Sequence, residues 1–173
     1  MNPLRNFSLK YKILLPGVIG VVGFAIYLAV NYSAGRINSN ILGEVQDNYL
    51  PALELTGKNI SLLDKVKQDL VFAATTGEPS MVDDAQKLAD EMKKNVAQIE
   101  NNLNTADQVK QGEIVAIKKY LSSYLDTVIP LTRAMIAGTA DMGQAQASMK
   151  KSKEALQELE KALTRLGDIL GYK

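Results

Sequence analysis

The chain of 173 residues has no cysteine and no histidine. Their absence excludes disulfides and thiol nucleophiles, removes most transition-metal sites and leaves out the most common general base. No carboxylate pair at catalytic spacing, no glycine-rich phosphate loop and no metal-ligand spacing is present either. The sequence is therefore expected to be non-enzymatic, with no cofactor and no metal. Proline and glycine are scarce, at 5 and 12, while alanine, leucine, lysine, glutamate and glutamine are abundant, a composition that favours helix. Three of the 20 basic side chains, Arg5, Lys10 and Lys12, precede residue 13, and the rest are slightly outnumbered by 19 acidic ones. No basic surface for nucleic acid is implied.

What the sequence does have is one long uncharged run, residues 13–30, ILLPGVIGVVGFAIYLAV. At the helical rise of 1.5 Å per residue it reaches about 27 Å, close to the ~30 Å hydrocarbon core, and Tyr11 and Tyr32 can sit at the two interfaces. Arg5, Lys10 and Lys12, with no acid among the first twelve residues, place the N-terminus in the cytoplasm and the remainder outside. The rival reading, a cleaved secretory signal, fits less well. The run exceeds the usual apolar core of about 7 to 15 residues, and Ala34 and Ala29 have Tyr32 and Tyr27 two places before them instead of small residues. The expected organisation is a cytoplasmic start over 1–12, a membrane helix over 13–32 and an extracytoplasmic domain over 33–173.

That domain reads as helical throughout. Val82, Ala85, Ala89, Met92, Val96, Ile99 and Leu103 alternate in steps of three and four, the spacing of an apolar helix seam. Ile114, Ile117, Leu121, Tyr124, Val128, Leu131 and Met135 form a second such series. Met142, Ala145, Met149, Ser152, Leu156, Leu159, Leu163, Leu166 and Leu170 form a third. Leu42, Val45, Tyr49, Ala52, Thr56, Asn59, Leu63, Val66, Leu70 and Ala73 keep the same register on a helix that runs on from the membrane. Gly77 suits a left-handed C-cap, Pro79 or Ser80 can open the next helix, Ser80 with Asp83 and Thr105 with Gln108 have capping-box spacing, Gly138 closes the third helix, and Thr139 or Asp141 can cap the fourth. Pro51 and Pro130 are expected to bend continuous helices. Turns this short join antiparallel neighbours, so the fold class is all-α: an N-terminal transmembrane helix continuing into an up-down-up-down antiparallel four-helix bundle.

Helix lengths extend the argument. The helix over 31–76 outruns that over 79–104 by about 30 Å, so only the first and last helices are expected to reach the membrane. A second membrane helix and a cytoplasmic output region are expected beyond Lys173.

This layout resembles the four-helix-bundle periplasmic sensor domain of bacterial methyl-accepting chemotaxis proteins. Ser8-Leu9-Lys10-Tyr11-Lys12 is similar to the polar lead before the first membrane helix of that family. Asn48-Tyr49-Leu50-Pro51 and Thr75-Thr76-Gly77-Glu78 are similar to its mid-helix Tyr-x-Pro and its threonine-glycine turn, and Tyr124, the Ala137-Gly138 turn and Ala145 also fit. The resemblance implies a sensor in the bacterial inner membrane. It further implies a homodimer, a small-molecule ligand or periplasmic binding protein as partner, and a signal carried by displacement of the last helix relative to the first. The same module precedes histidine kinase and diguanylate cyclase outputs. The competing reading is a membrane-anchored structural bundle that binds a protein partner.

Amino-acid receptors of that family grip a ligand carboxylate with arginines on the first helix. The matching region here offers Lys58, Lys65 and Lys67, which lack the planar fork of guanidinium, so amino-acid sensing is not implied. Asn59, Tyr124 and Ser152 interrupt three seams within about 8 Å of height, with Thr56 one turn below. They form either a register-setting polar layer or a ligand pocket. Arg133, near the tip of the third helix, is either solvated or placed to meet an acidic ligand. Lys150, Lys151 and Lys153 could attract anions, but with Glu154, Glu158 and Glu160 following they read as a mixed charged face.

Overall fold

The structure, a computed structural model, describes residues 9–103 and 107–171, with side chains from residue 18 onward except at positions 19 and 40. The expectations for Arg5, Ser8 and Thr105, and for the side chains of Lys10, Tyr11 and Lys12, lie outside the described residues. Every element is helical: α1 (Leu9–Glu44), a π-helical turn (Val45–Tyr49), α2 (Leu50–Thr76), α3 (Pro79–Asn102), α4 (Gln108–Ile136) and α5 (Met142–Gly171). The chain divides into two compact units, one ending at Glu44 and one beginning at Val45.

In the first unit, α1 exposes its described side chains on every face, Phe24, Ile26, Tyr27 and Val30 among them. Among the described residues, no helix is long and apolar enough to cross a membrane. The described side chains begin at Val18, five residues into the uncharged run, so they carry only its C-terminal part.

The second unit is a bundle of α2 to α5. α2 packs chiefly on α3 and α4 chiefly on α5, and the two hairpins meet through α3 on α4 and α2 on α5. Pro51 at the start of α2 has no N–H to donate, and its ring crowds the carbonyl four residues back. The backbone answers with the π-helical turn just ahead of it, where a gentle bend was expected. α4, by contrast, runs through Pro130 unbroken.

The turns are set by a few residues. Gly77 (φ 77°) and Gly138 (φ 68°) take the left-handed conformation that side chains disfavour. Ser80 does not cap α3 in a box with Asp83. Glu78 is the N-cap, with no side-chain bond to the helix, Pro79 opens the helix, and the Ser80 hydroxyl donates to Glu78 Oε1 at 3.0 Å. Asp107 accepts the Val109 N–H at 3.0 Å and caps α4, and Asp141 accepts the Gln144 N–H at 2.8 Å at the start of α5.

The seam of α3 is buried at all seven predicted positions, and that of α2 from Ala52 to Ala73. Three stretches depart from prediction. Ahead of Ala52, Leu42 is exposed and Val45 and Tyr49 are half-buried. On α4, the predicted seam is buried through Tyr124, and burial then passes to Leu125, Ile129 and Thr132, leaving Val128 and Leu131 half-buried and Met135 exposed. On α5, Met142 is 82% exposed and Met149 56%, so continuous burial starts only near Ser152. An α-helix of 3.6 residues per turn drifts by about 20° per heptad against a 3.5 repeat, and on α4 the drift shows in the turn that contains Pro130. The departures on α4 and α5 lie toward the Gly138 end of their hairpin.

Leu163 and Met142 occupy the same seam in sequence but opposite environments. Leu163→Ala is expected to cost about 2–5 kcal/mol, and Met142→Ala less than about 0.5 kcal/mol, in urea unfolding monitored by circular dichroism.

Candidate functional site

Where the α4 and α5 seams turn outward, a groove of about 560 Å³ opens between α2, α4 and α5. Its apolar lining comes from Leu70 and Val71 of α2, Val128 and Leu131 of α4, and Met149 and Leu156 of α5. Val128, Leu131 and Met149 were predicted to close the core. Rotation of the upper α4 seam and the unburied start of α5 make them groove walls instead.

Tyr124 lines this groove and is only 4% exposed. Among the described residues its hydroxyl has no hydrogen-bond partner. Burial holds the phenol neutral and pushes its pKa up to about 12, with Lys67 pulling the other way and Glu160 adding to the rise. Ser152 lines the same groove, but its hydroxyl donates to the Met149 carbonyl at 3.0 Å, as Thr132 donates to Val128 at 2.9 Å. These two donors are spent on their own helices.

Three lysines complete the lining. Lys67 Nζ bonds Glu160 Oε1 at 2.9 Å and Asp64 Oδ1 at 3.1 Å, and the bond to Glu160, then that to Asp64, raises its pKa against a smaller opposing effect of burial. Lys150 and Lys153 have no ion-pair partner among the described residues. Sequence reading treated this cluster as a solvated charged face. The clustered lysines were the one trace in the sequence of an anion-attracting site, and the groove that sets Lys150 and Lys153 apart from Lys151 had none.

The polar layer expected from Thr56, Asn59, Tyr124 and Ser152 does not form as one site. Tyr124 and Ser152 share the groove, whereas Asn59 and Thr56 lie elsewhere. Lys67 lines the groove with Tyr124, and Asn59 precedes it by eight residues, a helical rise of about 12 Å. Asn59, 0% exposed, accepts from Asn95 Nδ2 on α3 at 2.9 Å, and its own Nδ2 is buried without a partner among the described residues. Thr56 is buried, donates to the Ala52 carbonyl at 2.8 Å and packs toward Gly167. Arg133 faces neither cluster. Its guanidinium bonds Asp83 Oδ1 at 2.9 Å near the α2–α3 turn, with both side chains more than half exposed.

A further cluster escaped the sequence reading. Lys110, 3% exposed, bonds Tyr49 Oη at 2.6 Å and Asp107 Oδ2 at 3.1 Å, with its ammonium 4.4 Å from the centre of the Tyr49 ring. Burial opposes its charge, but the two bonds outweigh it and hold the pKa above the ordinary lysine value. The cluster ties the start of α4 to the π-helical turn. The Asp107–Lys110 spacing of three was its one trace in the sequence.

An unfolded tyrosine loses its proton near pH 10, whereas folded Tyr124 keeps it to about 12. Between those values the unfolded chain binds fewer protons, so stability falls as pH rises. Denaturation at pH 9 and pH 11.5 should show the wild type losing on the order of 2 kcal/mol more than Tyr124→Phe, and the variant's absorbance titration should lack the step at about 12. No family model matches this chain, and neither a curated protein nor a solved structure is similar to it.

Proposed function

We propose that this chain is the membrane anchor and periplasmic sensor region of a bacterial inner-membrane receptor of the chemoreceptor type. It acts as a homodimer and signals by displacement of its helices. The observation that carries the reading is the uncharged run over 13–30, with basic residues concentrated before it, placed directly ahead of a four-helix bundle. Val18, Val21, Val22, Phe24, Leu28 and Val30 are each at least half exposed on α1, and a continuous apolar surface of this kind calls for cover by lipid or protein. The short motifs around Tyr49-Leu50-Pro51 and Thr75-Thr76-Gly77 favour the chemoreceptor type of sensor. The same input serves a histidine kinase or diguanylate cyclase output equally well. Signalling by such a bundle needs only a ligand that binds one helix arrangement better than the other.

The chain has no cysteine, so single-cysteine variants report topology directly. In spheroplasts, an impermeant maleimide is expected to label Gln146→Cys at once and Asn2→Cys only after lysis. Protection of Gln146→Cys until lysis would remove the proposed orientation. Joining residues 1–173 to the second membrane helix and output of a receptor with measurable kinase activity tests the function. An output that changes with an added compound supports sensing, and a chimera that is stably inserted yet silent to every compound and binding protein tried argues against it.

A further inference from the structure

The geometry points to a ligand class for the groove between α2, α4 and α5: a small organic carboxylate with an apolar body, aliphatic or aromatic. The inference deepens the sensor reading and rests on it for the consequence of binding, while the binding itself is a property of the groove.

Four observations meet there. The volume of about 560 Å³ is that of a small-molecule pocket. The walls are mainly apolar, from Leu70, Val128, Leu131 and Leu156, which suits a hydrocarbon body and not a bare inorganic anion. Of the three ammonium groups in the lining, only that of Lys67 is neutralised by carboxylates. Lys150 and Lys153 leave the groove with two uncompensated positive charges, which favours an anion and opposes a cation. Tyr124, nearly fully buried, is the one neutral side-chain donor in the described lining whose hydrogen is not spent on its own helix. Among the described residues the side-chain atoms buried without a partner are Asn59 Nδ2 and Glu113 Oε2, so the Tyr124 hydroxyl still meets solvent through the groove, where a ligand oxygen can take the place of that water.

The groove also distinguishes this site from a carboxylate clamp. Among the described residues no arginine lines it, so recognition has no bidentate fork and leans on the apolar body together with point charges. Discrimination should therefore follow the size of the body, and short polar acids should bind poorly.

Two of the chain's six methionines, Met135 and Met149, line the groove, while Met92 is buried in the core. The full 173-residue chain, carrying methyl-13C methionine and held in lipid nanodiscs, is titrated with octanoate, 4-phenylbutyrate, acetate and octanamide. Saturable shifts of the Met135 and Met149 methyls, with Met92 unmoved, are expected for octanoate or 4-phenylbutyrate or both. Octanamide and acetate should bind about tenfold or more weakly, although octanamide partitions into lipid more readily than octanoate at neutral pH. The Lys150→Gln/Lys153→Gln double variant, altered only at exposed positions, should lose about tenfold in octanoate affinity, and Tyr124→Phe should weaken binding while the methyls still shift. The inference is overturned if neither acid gives a saturable shift at Met135 and Met149, or if octanamide matches octanoate, or if the lysine variant binds unchanged. The two readings fail separately. A positive titration with a silent chimera leaves the site and removes the sensor, and a responsive chimera with unmoved methyls leaves the sensor and removes this site.

Discussion

A helix with one apolar stripe among charged residues is stable in water only where the stripe is covered, and most helical stability comes from that burial. Four stripes in this chain must be covered at once, and antiparallel helices joined by tight turns cover them. The turns at Gly77 and Gly138 and the caps at Asp107 and Asp141 follow from that requirement. Leu63, Met92, Ile117 and Leu163, one from each helix, are all essentially inaccessible. Where the stripes meet in register the bundle is closed. Where they lose register, toward the Gly138 end of α4 and α5, it opens into the groove.

Among the buried polar side chains of the bundle, the hydroxyls of Thr56, Thr132 and Ser152 bond their own helices, and Asn59, Asn95, Lys110 and Tyr124 fall into two kinds. Asn59 pairs with Asn95, and Lys110 with Tyr49, across elements, with Asp107 at the cap of its own helix as the second partner of Lys110. Mispairing would leave an amide or an ammonium buried alone, so these contacts fix which residues face one another, as a buried asparagine does in a coiled coil. Tyr124 differs in having no partner among the described residues and in lining a concavity that also holds two uncompensated lysines. The first kind belongs to architecture, and the second is available to a ligand.

The helices were legible in the sequence because a seam of three and four spacing has few alternatives. α3 is the clearest case, with Val82 through Leu103 buried as predicted. The failures are local. Ser80 had capping spacing, but its hydroxyl bonds Glu78 while Asp83 is taken by Arg133. Pro51 was read as a bend because spacing alone does not tell a bend from a π-helical turn. Asn95 was passed over because the adjacent Val96 already filled the seam, and Lys110 because a lysine reads as solvated unless its partners are known. The groove was illegible for a related reason: Val128, Leu131 and Met149 hold seam positions in sequence, and only the three-dimensional register shows that they line an opening.

The contrast between a closed and an open part of the bundle is the center of this account, and residue-resolved amide hydrogen exchange measures it most directly. Amides of residues 114–121 and 159–170 are predicted to exchange only through global unfolding, and those of 142–152 about tenfold or more faster through local opening. Uniform protection along α4 and α5 would contradict the account, since it would mean that Met142 and Met149 are packed as tightly as Leu163.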